Sequence, residues 1–93
     1  MSNGVNSSKN WRVVVANYAQ KQLSRIPRGY ADKISRVLYE MAIEPWGGDI
    51  DRVKGEEYVW RRRVGAYRII FEVLPGEKVI FVYEINRRTS STY

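Results

Sequence analysis

The chain has no cysteine and no histidine among its 93 residues. The first absence excludes disulfides, thiolate nucleophiles and cysteine-bearing zinc sites. The second removes the usual acid–base group near neutral pH and the commonest metal ligand. Chemistry must therefore come from Arg, Lys, Tyr, Ser/Thr or carboxylates. The ten carboxylates are scattered without the spacing of a metal cage, so neither a metal site nor a cofactor is expected. Long apolar runs are missing too: none approaches the roughly 20 residues that span a bilayer. Met1 to Asn10 are Ser/Asn/Gly-rich and lack the apolar stretch of a secretory signal. They read as a flexible leader to a single domain over residues 11–93, and with no export signal the expected location is cytoplasmic.

What is present points to a small folded domain with a polyanionic partner. The composition is 44% hydrophobic and 13% aromatic, well above the disorder range. A chain of this length buries only roughly 60–65% of its unfolded surface, so the core is single and small. Sixteen Lys+Arg against ten Asp+Glu give a formal charge of +6. Such a balance suits nucleic acid, although many small domains carry similar charge for solubility alone. Placement has to decide between them.

Trp11 to Val15 is a short β-prone run. Asn17 with Gln20 three residues on forms a capping-box pattern opening a helix, which carries Ala19, Leu23 and Ile26 on one face and ends at Pro27. A second helix of about three to four turns runs to just before Pro45. Its Tyr30, Ile34, Val37, Leu38 and Met41 make one apolar stripe, read as core packing. Trp46 to Glu57 is a Gly-containing charged connection with a short strand near Ile50 to Val53. Period-2 strands follow at Tyr58 to Val64, Tyr67 to Val73 and Val79 to Ile85. Gly65-Ala66 is a two-residue hairpin loop with Gly first, as a type II′ turn prefers, and Leu74-Pro75-Gly76-Glu77 makes the next turn. The order β-α-α-β-β-β predicts an α+β domain: an N-terminal strand and a two-helix hairpin packed on an antiparallel sheet.

The short loops fix which residues share a face. The Gly65-Ala66 turn sets Val64 opposite Tyr67, Arg63 opposite Arg68 and Arg61 opposite Ile70. Tyr58, Trp60, Val64, Tyr67, Ile69, Phe71 and Val73 then face the helices, with Arg62 as the one exception. Val59, Arg61, Arg63, Arg68, Ile70 and Glu72 take the other face. A four-residue loop at the Pro-Gly turn sets Arg68 opposite Tyr83 and brings Arg87 to that same face, while a slip of one residue would invert the last strand. Four arginines thus share a face with no acid between Tyr58 and Phe71, and Arg63 directly opposite Arg68 costs up to about 1 kcal/mol. An anionic ligand accounts for this arrangement, since guanidinium forks bind phosphate bidentately. The alternative is a solvated face partly neutralised by Glu72 or Glu84. The tail adds Arg88 and Tyr93, the latter able to stack on a base or to be a frayed end.

The run Trp60-Arg61-Arg62-Arg63-Val64-Gly65-Ala66-Tyr67-Arg68-Ile69-Ile70-Phe71-Glu72-Val73, followed by Val82-Tyr83-Glu84-Ile85-Asn86-Arg87-Arg88 and Tyr93, resembles the RelE/ParE toxin superfamily. Val53-Lys54-Gly55 is similar to that family's lead into its second strand, and the likeness covers nearly everything from Trp11 onward. The resemblance to the RelE-like branch implies the toxin of a type II toxin–antitoxin system, a metal-independent endoribonuclease that cuts messenger RNA at the ribosome. The ribose 2′-OH attacks the adjacent phosphate and leaves a 2′,3′-cyclic phosphate. By the same resemblance Arg68 holds the scissile phosphate, Arg87 serves the leaving oxygen, Tyr93 orients or stacks the substrate, and Arg61 takes the place of an active-site lysine. Lys54, Arg63, Tyr83 and Arg88 would contact the RNA.

Val59 stands where the family carries a second lysine. Arg61 stabilises charge but does not give up its proton, so the resemblance names no general base here. The implied partners are messenger RNA on the ribosome and an antitoxin, acidic because basic side chains buried without counter-charge would be costly. Two rival readings share the motif: a ParE-like non-catalytic poison of DNA gyrase, and an RNA-binding module without turnover.

Overall fold

A computed structural model describes residues 10–87. The leader residues 1–9 and the tail residues Arg88 and Tyr93 lie outside the described residues. Strand β1 (Arg12–Val15) leads into helices α1 (Asn17–Ser24) and α2 (Arg28–Ile43), and strands β2 (Ile50–Arg52), β3 (Val59–Val64), β4 (Tyr67–Leu74) and β5 (Val79–Arg87) follow. They form one five-stranded sheet in the order β1-β5-β4-β3-β2, with the helices against one face, the α+β architecture that the sequence predicts. The sheet is antiparallel from β5 to β2, and β1 joins β5 in parallel. That direction follows from the path: two helices carry the chain over the sheet before it returns. Among the described residues no helix is long and apolar enough to cross a membrane.

The helical signals need one correction. Ala16 is the N-cap of α1, with no side-chain cap bond, and Asn17 is the first helical residue. Gln20 is drawn elsewhere: its Nε2 donates to the Val15 carbonyl at 2.9 Å, so it tidies the exposed edge of β1. Pro27 caps α2, which suits a residue with no N–H to satisfy. Of the α2 stripe, Ile34 and Met41 are buried, Val37 and Leu38 pack partly against the core, and Tyr30 lies exposed with its ring 5.6 Å from that of Tyr67.

The core lies between the sheet and the helices. Ala19, Ile34 and Met41 meet Tyr67, Ile69, Phe71, Val73, Ile80, Val82 and Ile85 there. The alternation of β4 is complete, odd residues buried and even ones half-buried, as a sheet covered on one face requires. Tyr58 departs from its expected place: β3 begins at Val59, and Tyr58 is 49% exposed.

Arg62 keeps the buried position that its neighbours' alternation demands, at 9% exposure. Its Nη1 donates to the Gly47 carbonyl at 2.9 Å, and Nη2 reaches Glu40 Oε1 at 3.5 Å. Gly48, at φ +80°, lies directly against this guanidinium, and a Cβ there would collide with it. A buried arginine therefore pins the loop between α2 and β2, and so positions β2.

Candidate functional site

The open face of the sheet carries the arginines. The β3–β4 register sets Arg63 opposite Arg68, Arg61 opposite Ile70 and Val64 opposite Tyr67, as the hairpin predicts. Gly65 provides the positive φ, +59°, that this turn needs. Three arginines thus gather at one end of the face, held by two rigid strands.

Their counter-charges come from β2 and the residue just before it. Asp51 is paired directly with Arg61 in the ladder, and the two make a forked contact: Nη2 to Oδ2 at 2.9 Å and Nε to Oδ1 at 3.4 Å. Arg63 Nη1 lies 3.3 Å from Asp49 Oδ1, and the Arg63 N–H donates to the Asp49 carbonyl at 2.9 Å. Glu72 and Glu84, the neutralising acids of the alternative reading, make no ion pair with these arginines among the described residues. The sequence reading placed a short strand near Ile50 to Val53 but missed Asp49 and Asp51, because it assigned that strand no partner.

Arg68 differs from its neighbours. It is half-buried, and its Nε is a buried donor with no hydrogen-bond partner among the described residues. A buried polar group left unsatisfied costs about 1–3 kcal/mol. Such a group beside two further guanidinium groups is suited to an acceptor oxygen of an anionic ligand.

The other residues of the predicted site fall elsewhere. Arg68 is opposite Asn86, not Tyr83. Two causes combine. The strands extend to Leu74 opposite Val79, leaving Pro75 to Lys78 as the loop, and a β-bulge between Ile70 and Phe71 inserts one extra residue, Tyr83, on β5. Beyond the bulge the faces of β5 are inverted, so Arg87 stands opposite Tyr67, on the helix side of the sheet. Arg87 is therefore not grouped with Arg61, Arg63 and Arg68. Tyr83 does remain on the open face, where its hydroxyl donates to Glu72 and its ring meets Phe81 edge-on at 4.9 Å. That hydrogen bond, with burial and the nearby Glu72 and Glu56 charges, raises the Tyr83 pKa above its ordinary value. Lys54 is exposed in the connection between β2 and β3, at the far end of the face from Arg68. Arg88 and Tyr93 are not among the described residues.

The profile of the family described as ParE toxin of type II toxin–antitoxin system, parDE, matches residues 13–91. This chain belongs to the RelE/ParE toxin superfamily. A relative named toxin RelE1, from Methanocaldococcus jannaschii, is 30% identical over 71 residues, covering 73% of this chain and 79% of its own length. Among solved structures, the archaeal RelE–RelB complex of Pyrococcus horikoshii superposes with a TM-score of 0.77 at 23% identity, over 87% of this chain and 98% of that one. The isolated RelE toxin of Escherichia coli gives 0.75 at 16% identity, over 87% of each chain. The YoeB/ParE toxin of Agrobacterium tumefaciens gives 0.70 at 16%, over 84% and 99%. Within the RelE/ParE fold, then, the open face of the sheet is where this toxin gathers its arginines, and Asp49 and Asp51 at β2 balance two of them.

Proposed function

We propose that this toxin is an endoribonuclease that cuts messenger RNA at the ribosome and leaves a 2′,3′-cyclic phosphate. Arg68 carries the reading: a half-buried guanidinium whose buried Nε has no partner among the described residues, on the same face as Arg61 and Arg63. A phosphate held there would have its developing negative charge stabilised by preorganised donors, the largest single contribution in many enzymes. The chain has no histidine or cysteine, so the reaction would run without those groups, the ribosome supplying the alignment of the 2′-oxygen with phosphorus. Arg87 and Tyr93 are assigned to the leaving group and the substrate base by resemblance alone, and Lys54, Tyr83 and Arg88 to outer RNA contacts on the same ground. The toxin would act in the cytoplasm.

The related structures named RelE–RelB complexes support an antitoxin as partner for this chain as well. An acidic antitoxin segment would match the net charge of +6. The competing reading, a gyrase poison, draws its support from the match to the ParE profile and from the ion pairs that occupy Arg61 and Arg63.

The test is induced expression of wild type and Arg68→Ala in a bacterial host, with mapping of messenger-RNA 5′ ends. Wild type should give cleavage in register with codons, and the variant should lose about 10²–10³-fold of it. Growth arrest with intact messages and a loss of DNA supercoiling would overturn the ribonuclease reading in favour of gyrase.

A further inference from the structure

The bulge in β5 decides which side chains stand beside Arg68. Phe71 pairs with Val82 on one side of it and Ile70 with Glu84 on the other. In an uninterrupted ladder side chains alternate, so an outward Tyr83 would send Glu84 towards the helices. The extra residue resets the alternation. Ile85 turns into the core at 1% exposure, and Glu84 and Asn86 take the open face. Bulges beside functional sites re-aim side chains in this way.

Glu84 becomes the diagonal neighbour of Arg68, two residues from Asn86, its direct partner. Diagonal neighbours in such a ladder are about 7–8 Å apart, a separation that a phosphate and its adjoining ribose can bridge. Asn86 Nδ2 donates to Glu84 Oε2 at 2.7 Å, which orients the carboxylate and leaves Oε1 without a partner among the described residues. The other acids of this face are engaged: Asp51 with Arg61, Asp49 with Arg63, and Glu72 with the Tyr83 hydroxyl. Arginines keep their protons, and Tyr83 is tied to Glu72, which disfavours its ionised form.

We propose that Glu84 is the general base of the cleavage, accepting the proton of the ribose 2′-hydroxyl beside the phosphate on Arg68. This rests on the ribonuclease reading above. The 2′-proton passes to Glu84 Oε1 as the O2′–P bond forms. The P–O5′ bond breaks with its electron pair remaining on O5′, which takes a proton from water, and Glu84 then releases its proton to solvent. The charged or titratable groups facing Glu84 are Arg68 on β4, Arg61 on β3 in the same row across Ile70, and the Glu72–Tyr83 pair beyond the bulge. From α1 comes the neutral Gln22, whose Oε1 accepts the Ile85 N–H at 2.7 Å. The pairing of β1 with β5 ends at Val15 and Val82 and brings no charged group to Glu84.

The experiment is single-turnover cleavage on translating ribosomes by wild type, Glu84→Gln and Glu84→Asp across a pH series, beside binding of a message blocked by 2′-deoxy substitution at the scissile site. Glu84→Gln should lose about 10²–10⁴-fold in rate, lose the wild-type rise of rate with pH, and bind the blocked message as wild type does. Glu84→Asp should keep part of the rate and the pH dependence. Wild-type speed with a wild-type pH profile in Glu84→Gln would overturn the proposal, as would loss of binding in proportion to rate. Failure of the ribonuclease reading is separately visible: the wild-type lane itself would show no cleavage, and the assignment of a base would fall with it.

Discussion

Replacing Asp49 and Asp51 with asparagine should make the toxin bind single-stranded RNA more tightly and with greater sensitivity to salt. The two ion pairs lie at 3.3 and 2.9 Å, with side chains between 32% and 62% exposed. Pairs this exposed contribute about 0.2–1 kcal/mol each, so the double variant should still fold, at a loss of about 1 kcal/mol. The effect on binding is larger, because each carboxylate cancels one guanidinium that would otherwise neutralise a phosphate. On a single strand each neutralised phosphate adds about 0.7 to the slope of log K against log salt, so two freed arginines add about 1.4. At 0.1 M salt, against a 1 M reference, that slope is worth about 25-fold in affinity. Fluorescence anisotropy with a blocked oligonucleotide over a salt series measures both quantities. A slope equal to that of wild type would mean that phosphates do not reach Arg61 and Arg63, and their assignment to RNA contact would be withdrawn.

Gly48→Ala should destabilise the toxin by about 1–3 kcal/mol, since it combines a positive φ with a collision against the buried Arg62 guanidinium; an unchanged urea midpoint would show that this loop yields freely. Tyr83→Phe tests the Glu72 hydrogen bond. A tyrosine pKa raised by folding lends stability that is complete below the unfolded value near 10 and is lost as pH rises through the folded value. The fall in thermal midpoint of wild type above about pH 10 should therefore be shallower in Tyr83→Phe, and identical curves would remove the hydrogen bond from the account.

The sequence was legible where local chemistry determines geometry. A two-residue loop with glycine first leaves one register for β3 and β4, so the neighbours of Arg63 and Arg61 followed from counting, and alternation singled out Arg62 as the buried exception. The register of β4 with β5 was not legible in the same way. Its turn admits several lengths, and one inserted residue inverts everything after it. Arg87 consequently fell on the wrong face, and Glu84 entered only as a neutraliser in the alternative reading of that face. Asp49 and Asp51 were hidden for another reason: a three-residue strand has too little pattern to announce its pairing. The capping box at Asn17 failed because the helix starts one residue early, with Ala16 as its N-cap, and Gln20 uses its Nε2 to donate to the Val15 carbonyl.

The strand order has a consequence for the making of the molecule. β5 occupies residues 79–87 and yet lies between β1 and β4, giving the core Ile80, Val82 and Ile85. Arg12 must find Val79 across nearly the whole described chain, and such distant pairings form slowly. A nascent chain lacking β5 already contains Arg61, Arg63 and Arg68, but its first strand has no neighbour and its fourth has only one. The face that sets Arg68 beside Asn86 and Glu84 is therefore not assembled while translation is still short of that strand.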